Sequence, residues 1–131
     1  MCGGRKLIRA EFSRSDNGKI SLTMKGHSTY KEKGQLLVCA GISTLLYTLI
    51  GYLKNSFGCR LRIFRLAPGD VEIECTDLGE EAFRMACIGF LQLGESYPGE
   101  ISVINNVWDS RLCLAPIFGV GDFDFEEKAY E

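Results

Sequence analysis

Apolar and polar residues alternate, then recur at helical spacing, then alternate again, and the chain runs through this cycle twice. Residues 6–14 alternate as a strand, and Ser15-Asp16-Asn17-Gly18 reads as a hairpin turn in which Asn-Gly supplies positive φ angles. In residues 19–25, Ile20, Leu22 and Met24 share one face, so the opening is a β-hairpin. Residues 26–35 are polar and predict an exposed, mobile loop. A long apolar helix follows from about Leu36 to Ser56, with Gly58 as its stop. Residues 59–66 alternate apolar with basic positions, and Pro68-Gly69-Asp70 turns the chain. Val71, Ile73 and Cys75 then alternate with Glu72 and Glu74, so Arg60, Arg62 and Arg65 are expected to face those glutamates on a solvated sheet surface. Asp77-Leu78-Gly79-Glu80 has the spacing of a capping box. Phe83, Ala86, Cys87, Phe90, Leu93 and Tyr97 mark the buried face of a second helix, which Pro98-Gly99 ends. Residues 101–104 form a short final strand.

The order β-β-α-β-β-α-β predicts an α+β fold, a mainly antiparallel sheet with two helices packed on one face. A chain of 131 residues is one domain in size. Residues 1–105 are expected to form it, and 106–131 a C-terminal extension. The aromatics of that extension (Trp108, Phe118, Phe123, Phe125, Tyr130) predict partial packing, and its acidic end predicts flexibility. Residues 106–120 are expected to cover an apolar patch; the alternative is that the apolar run from Leu114 to Gly119 occupies the site as a plug or a poor substrate. From Leu36 to Leu53 no residue is charged, the lower limit for a membrane span. Gly41, Ser43, Thr44, Thr48 and Gly51 interrupt the run, and Ala40, Thr44, Thr48 and Gly51 form a stripe of small residues. That stripe is expected to let a buried helix lie close to a sheet or a second helix.

Composition narrows the function. The chain is 46% hydrophobic and 24% charged, with net charge −2. That is the balance of a soluble globular protein. No cluster of Lys and Arg stands ready to neutralise a row of phosphates, so nucleic acid is not expected as a direct ligand. Six cysteines are widely spread without a C-x-x-C pair, and one histidine accompanies them. That spacing predicts no metal site, and no cofactor motif is present. No signal-peptide pattern opens the chain, so free thiols in a reducing cytoplasm are expected.

The single histidine, His27, follows Gly26 at the end of a strand, and Cys39 lies twelve residues later in the sequence at the predicted start of the apolar helix. A thiol near the first turn of a helix faces unpaired N–H groups and the positive dipole end, which favour thiolate. A loop that folds back brings the two together as a thiolate–imidazolium pair, a cysteine nucleophile with a histidine base. Helix N-terminal N–H groups near Cys39 and Ala40 are then the expected oxyanion donors.

The segment Gly26-His27 through Gly34-Gln35-Leu36-Leu37-Val38-Cys39-Ala40-Gly41-Ile42-Ser43 resembles the ribosomal-processing cysteine protease (Prp) family, and the likeness extends over about residues 5–105. That family carries Gly-His at a strand end, a mobile loop, and Val-Cys-Ala-x-x-Ser opening a helix, at the same His-to-Cys separation. The resemblance implies His27 as general base and acid, Cys39 as nucleophile, and Gly26 and Ser43 as substrate-binding residues. It also implies a cytoplasmic homodimer that removes a short N-terminal extension, ending in aromatic residues, from a ribosomal protein, or from a capsid protein where the gene is phage-borne. Leu36 stands where the family usually has aspartate, a residue placed to cap the helix or orient the histidine. The alternative reading is a non-catalytic, ribosome-associated peptide-binding protein that keeps the fold.

Overall fold

The computed structural model describes residues 8–26 and 33–109, with the backbone alone for 33–36. The strands are β1 (Ile8–Arg14), β2 (Ile20–Lys25), β3 (Arg62–Ala67), β4 (Asp70–Cys75) and β5 (Ile101–Asn105), and the helices are α1 (Lys33–Lys54) and α2 (Glu80–Ser96). The strands form one sheet in the order β3-β4-β2-β1-β5. Every pair is antiparallel except β1 with β5, which the α2 crossover brings in parallel. The α+β architecture is the one the periodicity predicts.

Register explains the single covered face. Phe12 pairs with Leu22 and Leu22 with Ile73, while Ala10 pairs with Met24 and Met24 with Val71. These residues are almost fully buried and form one apolar layer. The intervening positions are polar and form the open face, where Arg65 binds Glu72 at 2.5 Å and Asp70 at 2.8 Å, and Arg62 approaches Glu74. The helices cover the apolar layer through Val38, Leu46, Leu49 and Leu53 of α1 and Phe83, Cys87 and Phe90 of α2. They approach each other closely because two glycines give way. A Cβ on Gly89 would meet Leu45 at 2.8 Å, and one on Gly41 would meet Leu93 at 3.1 Å.

Four local expectations are corrected. The turn after β1 needs positive φ only at Gly18 (86°), and Asn17 does not adopt it. A bond from the Gly18 N–H to the Ser15 carbonyl at 3.0 Å tightens the turn instead. The helix α1 begins at Lys33, so residues 33–35 are helical rather than loop. The small stripe of Ala40, Thr44 and Thr48 is exposed, and a Cβ on Gly51 would meet nothing within 4 Å, so the stripe faces away from the core. The capping box does not form: Asp77–Gly79 is a short 3₁₀ turn, and no side chain caps either it or α2.

Glu80 acts elsewhere. Its carboxylate accepts from Arg14 at 3.0 Å and from the indole N–H of Trp108 at 3.1 Å. The chain beyond β5 is thereby fastened to the domain as far as Trp108. The Asn106 N–H donates to the Phe12 carbonyl, and the Asn105 side-chain oxygen accepts from the amides of Val107 and Trp108, a local turn typical of Asn. The Leu114–Phe118 run and the acidic end lie outside the described residues, as do the loop at 28–32 and residues 6 and 7 of the first strand. The hydrogen bonds from Arg14 and Trp108 hold the Glu80 carboxyl below its ordinary range. A depressed folded-state value stabilises above the unfolded value and is lost as pH falls through the folded one. Acidification past that point should therefore release Trp108, the single tryptophan, and shift its fluorescence to the red before the core unfolds. Glu80→Gln should remove that step, and a variant that keeps it would disprove the assignment.

The helix segment Leu37–Lys54 has the length and mean hydropathy (1.5) to cross a membrane. Its side carrying Val38, Ile42, Leu46, Leu49, Ile50 and Leu53 is nevertheless buried against the sheet and α2. That is the packing of a core helix.

Candidate active site

The chain leaves β2 at Gly26, whose φ of 92° belongs to the left-handed region that glycine alone enters freely. Its N–H donates to the Gly69 carbonyl at 2.9 Å, which ties the end of β2 to the β3–β4 turn. Beside this junction lies a cavity of about 190 Å³. One wall is α1, through Cys39, Ile42, Ser43, Leu46 and Tyr47. The opposite wall is the end of β3 and the turn after it, Leu66 to Gly69, and Ile8, Met24, Gly26 and Val71 complete the lining.

Three of the four residues singled out from the sequence therefore share one cleft. Cys39 and Ser43 are four apart, so they stand on one flank of α1, one turn from each other. Cys39 is half-buried and leans on the core, whereas Ser43 is exposed. The fourth, His27, lies outside the described residues.

The helix end is not where the apolar pattern places it. Cys39 lies six residues inside α1, which starts at Lys33, nearly two turns from the terminus. The field of a helix terminus fades within its first turn, so the expected dipole effect does not reach Cys39. Amides at that depth are committed to carbonyls four residues back, so those of Cys39 and Ala40 are not free oxyanion donors.

The other described cysteines are unsuited to nucleophilic work. Burial pushes the Cys87 thiol up to about 11, and burial together with the neighbouring Cys59 raises that of Cys75. Both side chains are closed to solvent. Cys59 is half-buried but is not part of the cleft wall.

The strand-side wall was not legible in the sequence. Pro68-Gly69 reads locally only as a turn, because its pairing with Gly26 depends on β4 lying beside β2, a long-range choice. Tyr47 was hidden inside the apolar helix, although its spacing of four from Ser43 carried the signal.

Residues 7–102 match the model of the family described as cysteine protease Prp. Over 42 residues the chain is 43% identical to the ribosomal processing cysteine protease Prp of Bacillus subtilis (strain 168). That match takes in 31% of this chain and 38% of the relative, so it spans well under half of the relative's length. Among solved structures, the essential ribosomal processing protease Prp from S. aureus, with a covalently linked product peptide, superposes with a TM-score of 0.65 at 22% identity. It covers 76% of this chain and all of that one. A protein from Streptococcus mutans superposes with a TM-score of 0.62 at 20% identity, over 78% and 99% of the two chains. At those identities the structures speak for the fold. With the family model spanning β1 to β4, both helices and the start of β5, well over half of its length, the chain belongs to the cysteine protease Prp family.

Proposed function

We propose that this protein is a cysteine endopeptidase with Cys39 as nucleophile and His27 as general base and acid. The observation that carries the reading is the Cys39 thiol on the wall of a cleft whose rim includes Gly26, the residue directly before His27. In this mechanism His27 takes the Cys39 proton, and the thiolate attacks the scissile carbonyl. His27 returns the proton to the leaving amine, then activates the water that hydrolyses the thioester. Because the amides at Cys39 are committed to the helix, the Ser43 hydroxyl is the side-chain donor on α1 suited to the developing oxyanion.

The substrate in this reading is a ribosomal protein with a short N-terminal extension ending in aromatic residues, or a capsid protein in a phage setting. The name of the Bacillus relative supports the ribosomal part of this reading, and the product peptide held by the S. aureus protein supports a peptide substrate. The reaction is assigned to the cytoplasm. Incubating the purified chain with a ribosomal precursor and reading the new N-terminus by mass spectrometry tests the reading. Binding without cleavage would favour the non-catalytic alternative, for which Leu36 in place of the family's aspartate is the motive.

A homodimer is part of the same proposal. The outer face of α1 exposes Leu37 (50%) and Tyr52 (60%) beside the small stripe of Ala40, Thr44 and Thr48. Small residues let two helices approach closely, and the apolar flanks then leave water. Light scattering at micromolar concentration should give twice the monomer mass, and Thr48→Glu should halve it. A wild-type monomer would refute the dimer.

A further inference from the structure

The strand β3 is the outermost strand of the sheet, and among the described residues no strand pairs with its far side. Among the described residues nothing roofs it either: Ile63 is 39% and Leu66 41% exposed, although their partners Ile73 and Val71 are buried on the helix side of the sheet. Leu66 and Ala67 also belong to the cleft that holds Cys39. A chain lying in that cleft therefore meets the free edge of β3 as it leaves. On the facing wall, Cys39, Ser43, Tyr47 and Lys54 recur at intervals of four and seven along one flank of α1.

The two walls match in length. From Cys39 to Lys54 the helix rises about 22 Å, and six residues of β3 extend about 20 Å. Lys54, Arg60 and Arg62 are exposed at the end remote from Cys39. Arg62 lies 5.0 Å over the ring of Phe64 and approaches Glu74 at 3.8 Å on the open face, so Lys54 and Arg60 add to a positive charge there that Glu74 offsets only in part.

We propose that the strip between the Cys39–Lys54 flank of α1 and the free edge of β3 is the track for one side of the peptide substrate. The bound segment extends β3 as an added strand of about six residues and favours acidic residues at its far end. Backbone pairing supplies the affinity. Exposed Ile63 and Leu66 take alternate side chains, and the basic cluster selects charge beyond them. This assignment rests on the protease reading, because it takes the Cys39 cleft as the place where the scissile bond sits.

The test separates the two. Full-length Cys39→Ala binds fluorescein-labelled peptides with a Val-Phe-Ala-Ala centre, followed by anisotropy. One series is lengthened at the N-terminal end and one at the C-terminal end, by three or six alternating Val and Thr residues closed by Asp-Glu. In one series affinity should rise about tenfold with length. N-methylation of the added amides should reverse the gain at every second position only, the period of strand pairing. Arg62→Glu should transfer the preference from Asp-Glu to Lys-Lys ends. Affinity independent of length in both series, or N-methyl effects without period, overturns the track. Length dependence that appears only after the chain is cut at Asp109 assigns the strip to the chain's own tail and overturns it too. A changed particle mass in Arg62→Glu with unchanged peptide affinity assigns the strip to a second copy and equally overturns the track. Wild-type cleavage of these peptides is scored separately, so a failed protease reading shows as binding without hydrolysis.

Discussion

Cys39→Ala and His27→Ala should each lower peptide cleavage by at least about a thousandfold while the fold stays intact. The loss is large because no other described thiol can substitute: Cys75 and Cys87 are buried with raised thiol values, and Cys59 is outside the cleft wall. The fold should tolerate the cysteine change because Cys39 is only half-buried and alanine is a strong helix former. Residues that act as one unit are non-additive, so the double variant should be no slower than the slower single one. Cleavage is read by mass spectrometry of the products, and integrity by circular dichroism. Near wild-type rates in either variant would remove the dyad.

Phe12→Ala should cost about 3–5 kcal/mol of stability, the largest single loss expected from the core. Phe12 is fully buried at the middle of β1. Its ring stands edge-on to Phe90 at 5.6 Å and tilted to Trp108 at 6.1 Å. Truncation therefore opens a cavity that touches the sheet, α2 and the segment beyond β5 together. Tyr52→Ala, at a 60%-exposed residue on the outer face of α1, should change stability by less than about 0.5 kcal/mol in a monomer. Urea unfolding at matched protein concentration measures both. A Phe12→Ala loss below about 1 kcal/mol would show that β1 does not centre the core.

Local periodicity made most of the fold readable in advance. Alternation in β1, β2 and β4 is a property of neighbouring residues, and each strand has a single apolar face that fixes which side turns inward. The spacing of Phe83, Ala86, Cys87 and Phe90 fixed the buried face of α2 in the same way. Helix ends were less legible. Lys33-Gly34-Gln35 is polar and contains glycine, so nothing local marks it as helical. Its inclusion in α1 moved Cys39 from the first turn into the second. The capping box failed for a tertiary reason: Glu80 is drawn to Arg14 and Trp108, which stand far from it in sequence.

The sequence alone determined the element order, the apolar faces, the one histidine and the spacing that links Gly26, Cys39 and Ser43 to a family. Those are local patterns, or short motifs, that survive without any knowledge of neighbours in space. Only the tertiary structure decided the strand order β3-β4-β2-β1-β5, the parallel pairing of β5 with β1, and the wall that the β3–β4 turn builds opposite Cys39. Strand pairing is chosen by the sum of distant contacts, and many registers satisfy the same alternation. The small stripe on α1 shows the limit most plainly. Its spacing announced a contact face, but the apolar side of the same helix outcompeted it for the core and left the stripe on the surface.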